Sequence, residues 1–533
     1  MFRDYYEEFE NDLPEFVDKT KKFYEGELTV AEYKGFSGGF GSYAQRGAQK
    51  SMLRLRLPGG EIDRPRLKFI AESMEKYNVD KAHFTTCETV QLHNLDCDSV
   101  CALVKEAWQA GIITRGGGGD FPRNVMCSPL SGLDCDEKFN VMPYAKAAGD
   151  YLLGFINKVK LPRKLKVCFS NGANNEVHAT FRDLGFIAKE NGKFDVYCAG
   201  GMGNRPKFGV KVVEDLEPCY VLFAIKTMVD IFTEYGNYEQ RNASRTRFLQ
   251  DTLGVEKLQE IFRQKLADNI ADESMQDKIL DIEELNKIGL ENITKEKLAS
   301  AELIVDADLL MSDRIYAQKQ HCLYAVHYKP VGGNIPVDFF RRIYDATQDM
   351  QCNDVIKLRI TPNQGVYIIN LTADEARKIL EITSDTAKSA FECSTACIGA
   401  DICQVGIGKS QIMLNECVKA VREAGIAPHA LPSIHISGCP SSCTAHQTAR
   451  IGLRGGMKQT ADGPKPAFMI YLNGSEEAGK EAMGEELGVM TTEDIPKFFV
   501  ELGKTISDSC MDYEKYFASN CDNIRQIAQK YIQ

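Results

Sequence analysis

A chain of 533 residues suggests roughly three or four domains at the usual ~100–200 residues each. Its formal net charge of -11 argues against nucleic acid as a partner, since such binders show a basic balance or a basic domain. The acidic start, MFRDYYEEFENDLPEF, has no basic-then-apolar leader, and no run of ~18 apolar residues marks a membrane span. These features lead us to expect a cytoplasmic protein, in which 18 cysteines serve as metal ligands or buried thiols rather than as a disulfide scaffold.

Taken in chain order, residues 57–95 open with a Gly-Gly turn at Gly59, run into an amphipathic helix pattern, and continue as a strand, a turn at Thr85 and a second strand ending at Leu95. FPRNVMCSP (121–129) then contributes Arg123, and LPRKLKVCFS (161–170) contributes Arg163, Lys164 and Lys166. If the latter is a strand, Lys164 and Lys166 share a face. Glycine runs at 115–120 and 200–203 permit close approach of the backbone to a ligand. Residues 255–311 are charged with helical spacing and read as a helical bridge. Residues 330–371 repeat the pattern of 57–95: Thr361, Val366 and Leu371 align with Thr85, Val90 and Leu95 without a gap, and Gly332 matches Gly59 with a small length difference. We therefore expect a duplicated molecule of pseudo-twofold character, with a site where the copies meet. The expected domains are 1–104, 105–254, a helical bridge 255–314, 315–389 and 390–533.

Near the C-terminal end, Cys397 and Cys403 are separated by five residues, and Cys439 and Cys443 by three, with Pro440 after Cys439. Four thiolates from two separated segments suit a [4Fe-4S] cube, in which each iron takes one protein ligand. A zinc knuckle has two to four residues between its cysteines, so the wider gap speaks against zinc; inert buried thiols are the other alternative.

C-x5-C followed by G-C-P-x-x-C resembles the siroheme-containing sulfite and nitrite reductases. The likeness runs over about residues 33–500 and includes YAQR (43–46), LRLRLPGG (53–60), FPRNVMCSP, LPRKLKVCFS, GGMGNRP (200–206) and CTAHQTARIGLRG (443–455). The resemblance implies an α+β fold of two ferredoxin-like half-domains and two larger αβ domains around siroheme and a [4Fe-4S] cluster. It implies Cys397, Cys403, Cys439 and Cys443 as cluster ligands, with Cys443 also bridging to the siroheme iron. Arg123, Lys164 and Lys166 would hold a small oxyanion and supply protons, while Arg46, Arg54, Arg56, Arg163 and Arg205 are candidates for siroheme carboxylates. The implied reaction is six-electron reduction of sulfite to sulfide. Electrons would come from a donor protein such as ferredoxin or a flavoprotein subunit, because the chain has no nicotinamide or flavin fingerprint. The alternatives are nitrite reduction to ammonium, or a siroheme-binding relative without activity.

One position breaks the pattern. Where the family typically reads T-x-R-Q and uses that arginine as a substrate clamp, this chain has Thr85-Thr86-Cys87-Glu88. The clamp loses a cation and gains an adjacent carboxylate, unless Arg115 or another basic residue reaches in. A charge-assisted hydrogen bond contributes about 1.5–3 kcal/mol, so the loss is worth roughly ten- to a hundredfold in anion affinity. The Lys-x-Lys spacing at 164–166 points to sulfite, because nitrite reductases of this family tend toward Lys-x-Asn.

Overall fold

Among the residues described by this computed structural model (2–287, Lys297 and 308–532), four five-stranded sheets organise the chain. The first carries Ser42–Ala44, Ser51–Leu55, Val90–Leu95 and Ala82–Phe84 as neighbours, and the second carries Ile315–Ala317, Tyr324–Tyr328, Val366–Leu371 and Lys357–Ile360 in the same order. All these pairings are antiparallel. The fifth strands are exchanged. Glu61–Ile62, from the first copy, completes the second sheet through Ile62 opposite Leu358 and Glu61 opposite Arg359. The short strand ending at Ile335, from the second copy, completes the first sheet.

The exchange explains the paired glycines. Gly59 and Gly60 have φ of 66° each, and Gly332 and Gly333 have 61° and 75°, a left-handed region that glycine enters without a Cβ penalty. A Cβ on Gly60 would also stand 2.8 Å from the Ile360 carbonyl oxygen. Other backbone devices recur in both copies. Asn94 (φ 60°) matches Asn370 (φ 64°), and Glu88 (φ 55°) matches Gln364 (φ 71°). Each asparagine is gripped by a glutamine: Asn94 N–H donates to Gln45 Oε1 at 2.9 Å, and Asn370 N–H to Gln318 Oε1 at 2.7 Å. Those glutamines close two Tyr-Ala-Gln triplets, 43–45 and 316–318, a repeat lying outside the aligned stretches.

Both copies share one apolar core, in which Leu53, Phe84, Leu92, Val326, Phe339 and Ile368 are all buried. Phe84 meets Phe339 and Phe340 edge-on, each at 6.1 Å between ring centroids. Burying such a ring contributes about 1.5–3 kcal/mol, so the halves are held together by packing as well as by the exchanged strands.

The two larger sheets repeat as well. Met126–Cys127, Val167–Ser170, Leu184–Ala188, Phe194–Cys198 and Val210–Leu216 pair parallel, parallel, antiparallel and antiparallel. Thr395–Ala396, Ile434–Ser437, Ile451–Thr460, Gly463–Leu472 and Glu485–Thr491 pair in the same sequence of senses. Helices Met142–Leu153, Val221–Tyr235 and Val255–Ala271 cover the former, and Ser410–Glu423, Ile495–Asp508 and Tyr513–Ile532 the latter. Of the expected helical bridge, Val255–Ala271 and Ile282–Lys287 are helical, while 288–296 and 298–307 lie outside the described residues. The chain forms two compact units: residues 1–201, 206–328 and 335–384 make one, and 202–205, 329–334 and 385–533 make the other. No helix among the described residues is long and apolar enough to cross a membrane.

Within the first unit, one buried carboxylate fastens the exchanged strand. Glu61 Oε2 lies 2.8 Å from Arg359 Nη2, and its Oε1 lies 2.6 Å from Lys146 Nζ and 3.3 Å from Lys357 Nζ. Burial pushes its pKa upward, but Arg359, Lys146 and Lys357 outweigh that and hold it well below the usual carboxylate range. This stabilisation is fully present above the unfolded glutamate value of about 4.3 and is lost as pH falls toward the depressed folded value. Glu61→Gln is expected to destabilise the first unit at neutral pH by about 3 kcal/mol, the low end for a broken buried pair because Lys146 is partly solvated. Chemical denaturation checks this: the difference from wild type should shrink in acid, and an unchanged midpoint at neutral pH would contradict it.

Candidate active site

The first unit gathers its cations around one extended segment. Pro122 and Leu165 form a parallel bridge, and Arg123 N–H donates to the Leu165 carbonyl at 2.8 Å. Leu165 is fully buried, so the alternation of an extended chain sends Lys164 and Lys166 to the opposite face together. The Arg123 guanidinium donates to the carbonyls of Gly117 and Gly119, both at 2.8 Å, and Arg54 also donates to Gly117. The glycine run is needed here, since a Cβ on Gly118 would come 2.5 Å from both the Gly38 carbonyl and the Tyr43 hydroxyl. Arg56, buried, spans the carbonyls of Arg115 and Arg123 at 3.2 Å each and so fixes the backbone from which Arg123 projects.

Asp183 organises a second set of cations. It is 1% exposed and accepts from the Lys166 backbone N–H at 2.9 Å, from Arg245 Nη2 at 2.9 and 3.0 Å, and from the Thr246 hydroxyl. Neighbouring Arg182 is steered by the Val177 carbonyl at 3.1 Å and by His178 Nδ1 at 3.2 Å. Burial lowers the pKa of Lys166, as do Arg182 and Arg245, against a raising contribution from Cys87. Burial also lowers that of Arg123, with Arg54 and Arg245 adding to the effect. The buried Nε atoms of Arg123 and Arg245 have no hydrogen-bond acceptor among the described residues. An unmet buried donor costs about 1–3 kcal/mol, more when charged. Cations held mainly by carbonyls keep their charge and fit a polycarboxylate ligand or a small oxyanion.

Cys87 lies inside this set. Burial pushes its thiol up, but the Lys166 ammonium, Arg182, a hydrogen bond to Lys166 and Arg54 bring it down to about 6. Arg115 does not replace the missing arginine, because it is committed to Asp12 at 3.1 Å and Asn157 at 2.7 Å. Arg182 and Arg245 are the cations that neighbour Lys166, and sequence reading missed both. The available signal was the Arg182-Asp183 pair before the apolar strand Leu184–Ala188. The expected penalty from Glu88 is also corrected. Its positive φ turns the side chain into the interior, where Oε2 accepts from the Cys127 N–H at 2.9 Å, and burial drives its pKa well above the usual carboxylate range, toward the neutral acid.

The other candidate arginines are dispersed. Arg163 pairs with Asp120 at 2.6 Å, and the other oxygen of that carboxylate takes Arg241 at 2.8 Å. Arg46 is exposed. Arg205, exposed with φ 52°, belongs to the second unit, where its segment is tied down by Gln447 Nε2 donating to the Gly203 carbonyl at 3.2 Å.

In the second unit, two cysteine-bearing loops interlock. Cys397 N–H donates to the Ile436 carbonyl at 3.0 Å, and Cys397 Sγ accepts from Gly438 N–H at 3.1 Å and lies 3.2 Å from Ser410 Oγ. The Gly438 carbonyl accepts from Ile407 and Gly408 at 2.9 and 2.7 Å, and Cys403 N–H reaches the Gly399 carbonyl at 2.9 Å. Ser442, at φ 50°, shapes the turn between Cys439 and Cys443. Burial and the nearby Cys439 raise the Cys397 thiol against lowering hydrogen bonds from Ser410 and Gly438, so these two sulfurs are electrostatic neighbours. Cys443 is exposed. No three His, Cys, Asp or Glu side chains among the described residues gather tightly enough for a single metal ion. A cube, taking one thiolate per iron, uses a wider arrangement, and N–H donors to sulfur suit its thiolate ligands.

Residues 43–108 match the family described as the nitrite/sulfite reductase ferredoxin-like half domain, and residues 118–270 match the nitrite and sulphite reductase 4Fe-4S domain. Both matches are to domains of sulfite/nitrite reductases, and the chain is similar to that family. This reductase is an oxidoreductase with siroheme and a [4Fe-4S] cluster as cofactors. It is 23% identical over 502 residues to Sulfite reductase [ferredoxin] 2 of Mycolicibacterium paratuberculosis, covering 91% of this chain and 82% of that one. It is 25% identical over 459 residues to Ferredoxin--nitrite reductase of Leptolyngbya laminosa, covering 84% of each. Its fold is similar to that of the NirA protein of Mycobacterium tuberculosis, with a TM-score of 0.73 at 20% identity, covering 92% of this chain and 90% of that one. In the reductase, a Cβ on Gly438 would stand 2.7 Å from the Gly408 carbonyl oxygen, forcing the cysteine loops apart. Gly438→Ala is expected to lower bound iron and acid-labile sulfide in anaerobically purified protein to less than half of wild type, and full incorporation would contradict the role given to this contact.

Proposed function

We propose that this reductase converts sulfite to sulfide with electrons from ferredoxin. The observation that carries the reading is the gathering of cations on a few backbone and carboxylate anchors, Lys166 and Arg245 at Asp183 with Arg182 next to it and Arg123 at Gly117 and Gly119, beside a Lys164–Lys166 pair on one face. Ferredoxin stands in the names of the relatives above; none of those names supports the flavoprotein alternative.

Cys397, Cys403, Cys439 and Cys443 would hold the cluster, and the half-buried arginines, Arg54 and Arg245 first among them, would face the carboxylates of the tetrapyrrole. When bound, these groups supply the redox chemistry. The chain's own part is charge, orientation and protons. Arg123 and Arg182 offer planar guanidiniums suited to an oxyanion, and Asp183 holds the Lys166 backbone and Arg245 in fixed relation. Lys166, its pKa lowered by burial and by Arg182 and Arg245, is placed to give up a proton more readily than a solvated lysine. Arg46, Arg163 and Arg205 have weaker claims, Arg163 because Asp120 already accepts from it.

Nitrite is the second reading, favoured by the likeness to Ferredoxin--nitrite reductase of Leptolyngbya laminosa over as large a share of both chains. Parallel anaerobic assays with one reduced ferredoxin separate the two. The sulfite reading expects a higher kcat/KM with sulfite, and a clear preference for nitrite would overturn it. Lys166→Gln is expected to lower kcat/KM by about a hundredfold or more, the usual contribution of a positioned acid; activity within a few-fold of wild type would remove Lys166 from the proton path.

A further inference from the structure

The turn between Cys439 and Cys443 is held weakly by its own backbone. Ser442 N–H reaches the Cys439 carbonyl at 3.3 Å, and Ala445 N–H the Ser442 carbonyl at 3.3 Å, just beyond the usual N–H···O range. Ser442 and Ala445 both take left-handed backbone, at φ 50° and 53°, which disfavours residues with a side chain and persists only where the surroundings enforce it. Here side chains enforce it. At one end the Thr444 and Ser437 hydroxyls lie 2.7 Å apart, and at the other the Ser442 hydroxyl donates to Gln447 Oε1 at 2.5 Å. Gln447 is itself fixed twice: its carbonyl accepts from Gly484 N–H at 2.6 Å, and its Nε2 donates to the Gly203 carbonyl at 3.2 Å. Ser442 and Gln447 are both buried, so these bonds are shielded from water and strengthened. Gly203 lies in a short loop whose flanks, Gly201 and Lys207, exchange backbone hydrogen bonds at 2.9 and 3.0 Å. That loop carries Arg205, and residues 202–205 belong to the same compact unit as the cysteine turn.

We propose that Gln447 is a positioning residue of the reductase: through Ser442 it sets where Cys443 stands, and through Gly203 it places the Arg205 loop against the same turn. The inference rests on the reductase reading above, in which Cys443 is a cluster ligand. A side-chain amide suits the task because it accepts at one atom and donates at the other, so Gln447 receives Ser442 and holds Gly203 at once. A carboxylate would keep the first bond and lose the second, and an aliphatic side chain would lose both. Cys443 follows Ser442 directly in the chain, so any rotation of the Ser442 backbone redirects the Cys443 sulfur. Small displacements of a reacting or ligating group cost rate steeply even when the altered residue touches no substrate. The cations assigned to the oxyanion, Arg123, Lys166 and Arg182, take no part in these contacts. Turnover, rather than substrate affinity, therefore carries the effect.

The test uses anaerobically purified holoenzyme, with kcat counted per bound chromophore so that partial loading does not enter. Hydrogen–deuterium exchange of the peptide covering residues 199–208 should rise in Gln447→Leu and Gln447→Glu and stay at the wild-type level in Ser442→Ala. Gln447→Leu and Ser442→Ala should each shift the visible spectrum and lower kcat about tenfold or more, the usual effect of removing a group that orients a metal ligand. KM for the better of sulfite and nitrite should stay within about threefold. Gln447→Glu, which still accepts from Ser442, should keep a higher kcat than Gln447→Leu. The Ser442→Ala/Gln447→Leu double variant should lose no more than Gln447→Leu alone, because the two changes break one shared bond. Wild-type exchange at 199–208 in both Gln447 variants overturns the proposal. So does a wild-type spectrum and kcat in Ser442→Ala and Gln447→Leu, or single losses that multiply in the double variant. Wild-type protein that reduces neither anion, while exchange at 199–208 still rises in the Gln447 variants, overturns the reductase reading and leaves the tie to Gly203 standing.

Discussion

The site depends on one electrostatic choice: Arg54, Arg56 and Arg123 are anchored by carbonyl oxygens, while Arg245 shares the Asp183 carboxylate with the Lys166 backbone. Arg123 is held by Gly117 and Gly119, and Arg56 by the carbonyls of residues 115 and 123. A carbonyl satisfies a donor geometrically without cancelling its charge. A carboxylate partner would have neutralised the cation and left little attraction for a ligand, as happens where Asp120 takes both Arg163 and Arg241. The acidic total of the chain is therefore no guide to this interior, where Asp183 is hydrogen-bonded to the Lys166 backbone and to Arg245.

The duplicated framework gives that arrangement its rigidity. Two small sheets exchange their edge strands, share a core rich in aromatic side chains, and are fastened at the exchange by Glu61 among Arg359, Lys146 and Lys357. The turn that carries Cys87 and the strand that carries Arg54 both belong to the first of these sheets. In the second unit the same economy appears in a different form: glycines at 399, 408 and 438 let two loops hydrogen-bond backbone to backbone, so that the Cys397 sulfur receives the Gly438 N–H and its carbonyl the Ser410 hydroxyl. Precise placement of side chains by locked backbone is what a redox site needs most from its protein.

Much of this was legible in the sequence, and the failures share a cause. The Gly-Gly turns, the Thr85 and Thr361 turns and the face shared by Lys164 and Lys166 follow from local backbone preference and a period of two, so they could be read from neighbouring residues. Arg182 and Arg245 could not, because they meet only through Asp183, 62 residues from Arg245 along the chain. Glu88 was misjudged because a left-handed backbone sends its side chain to the Cys127 N–H. Arg115 stayed open as a substitute for the clamp because its commitment to Asp12, at the start of helix Leu13–Tyr24, spans more than a hundred residues. The repeat of the larger sheets left no alignable sequence in our reading and survives as an order of strand senses, which many side-chain combinations satisfy.

The central claim is that the uncompensated cations of the first unit and the interlocked cysteine loops of the second exist to hold anionic and iron-bearing groups. The visible spectrum of protein purified without oxygen tests it most directly, followed by titration with sulfite, nitrite and chloride. A tetrapyrrole absorbance that shifts on adding either oxyanion, but not on adding chloride, is the predicted result. Colourless protein after careful anaerobic handling, or a chromophore indifferent to both oxyanions, would contradict the account.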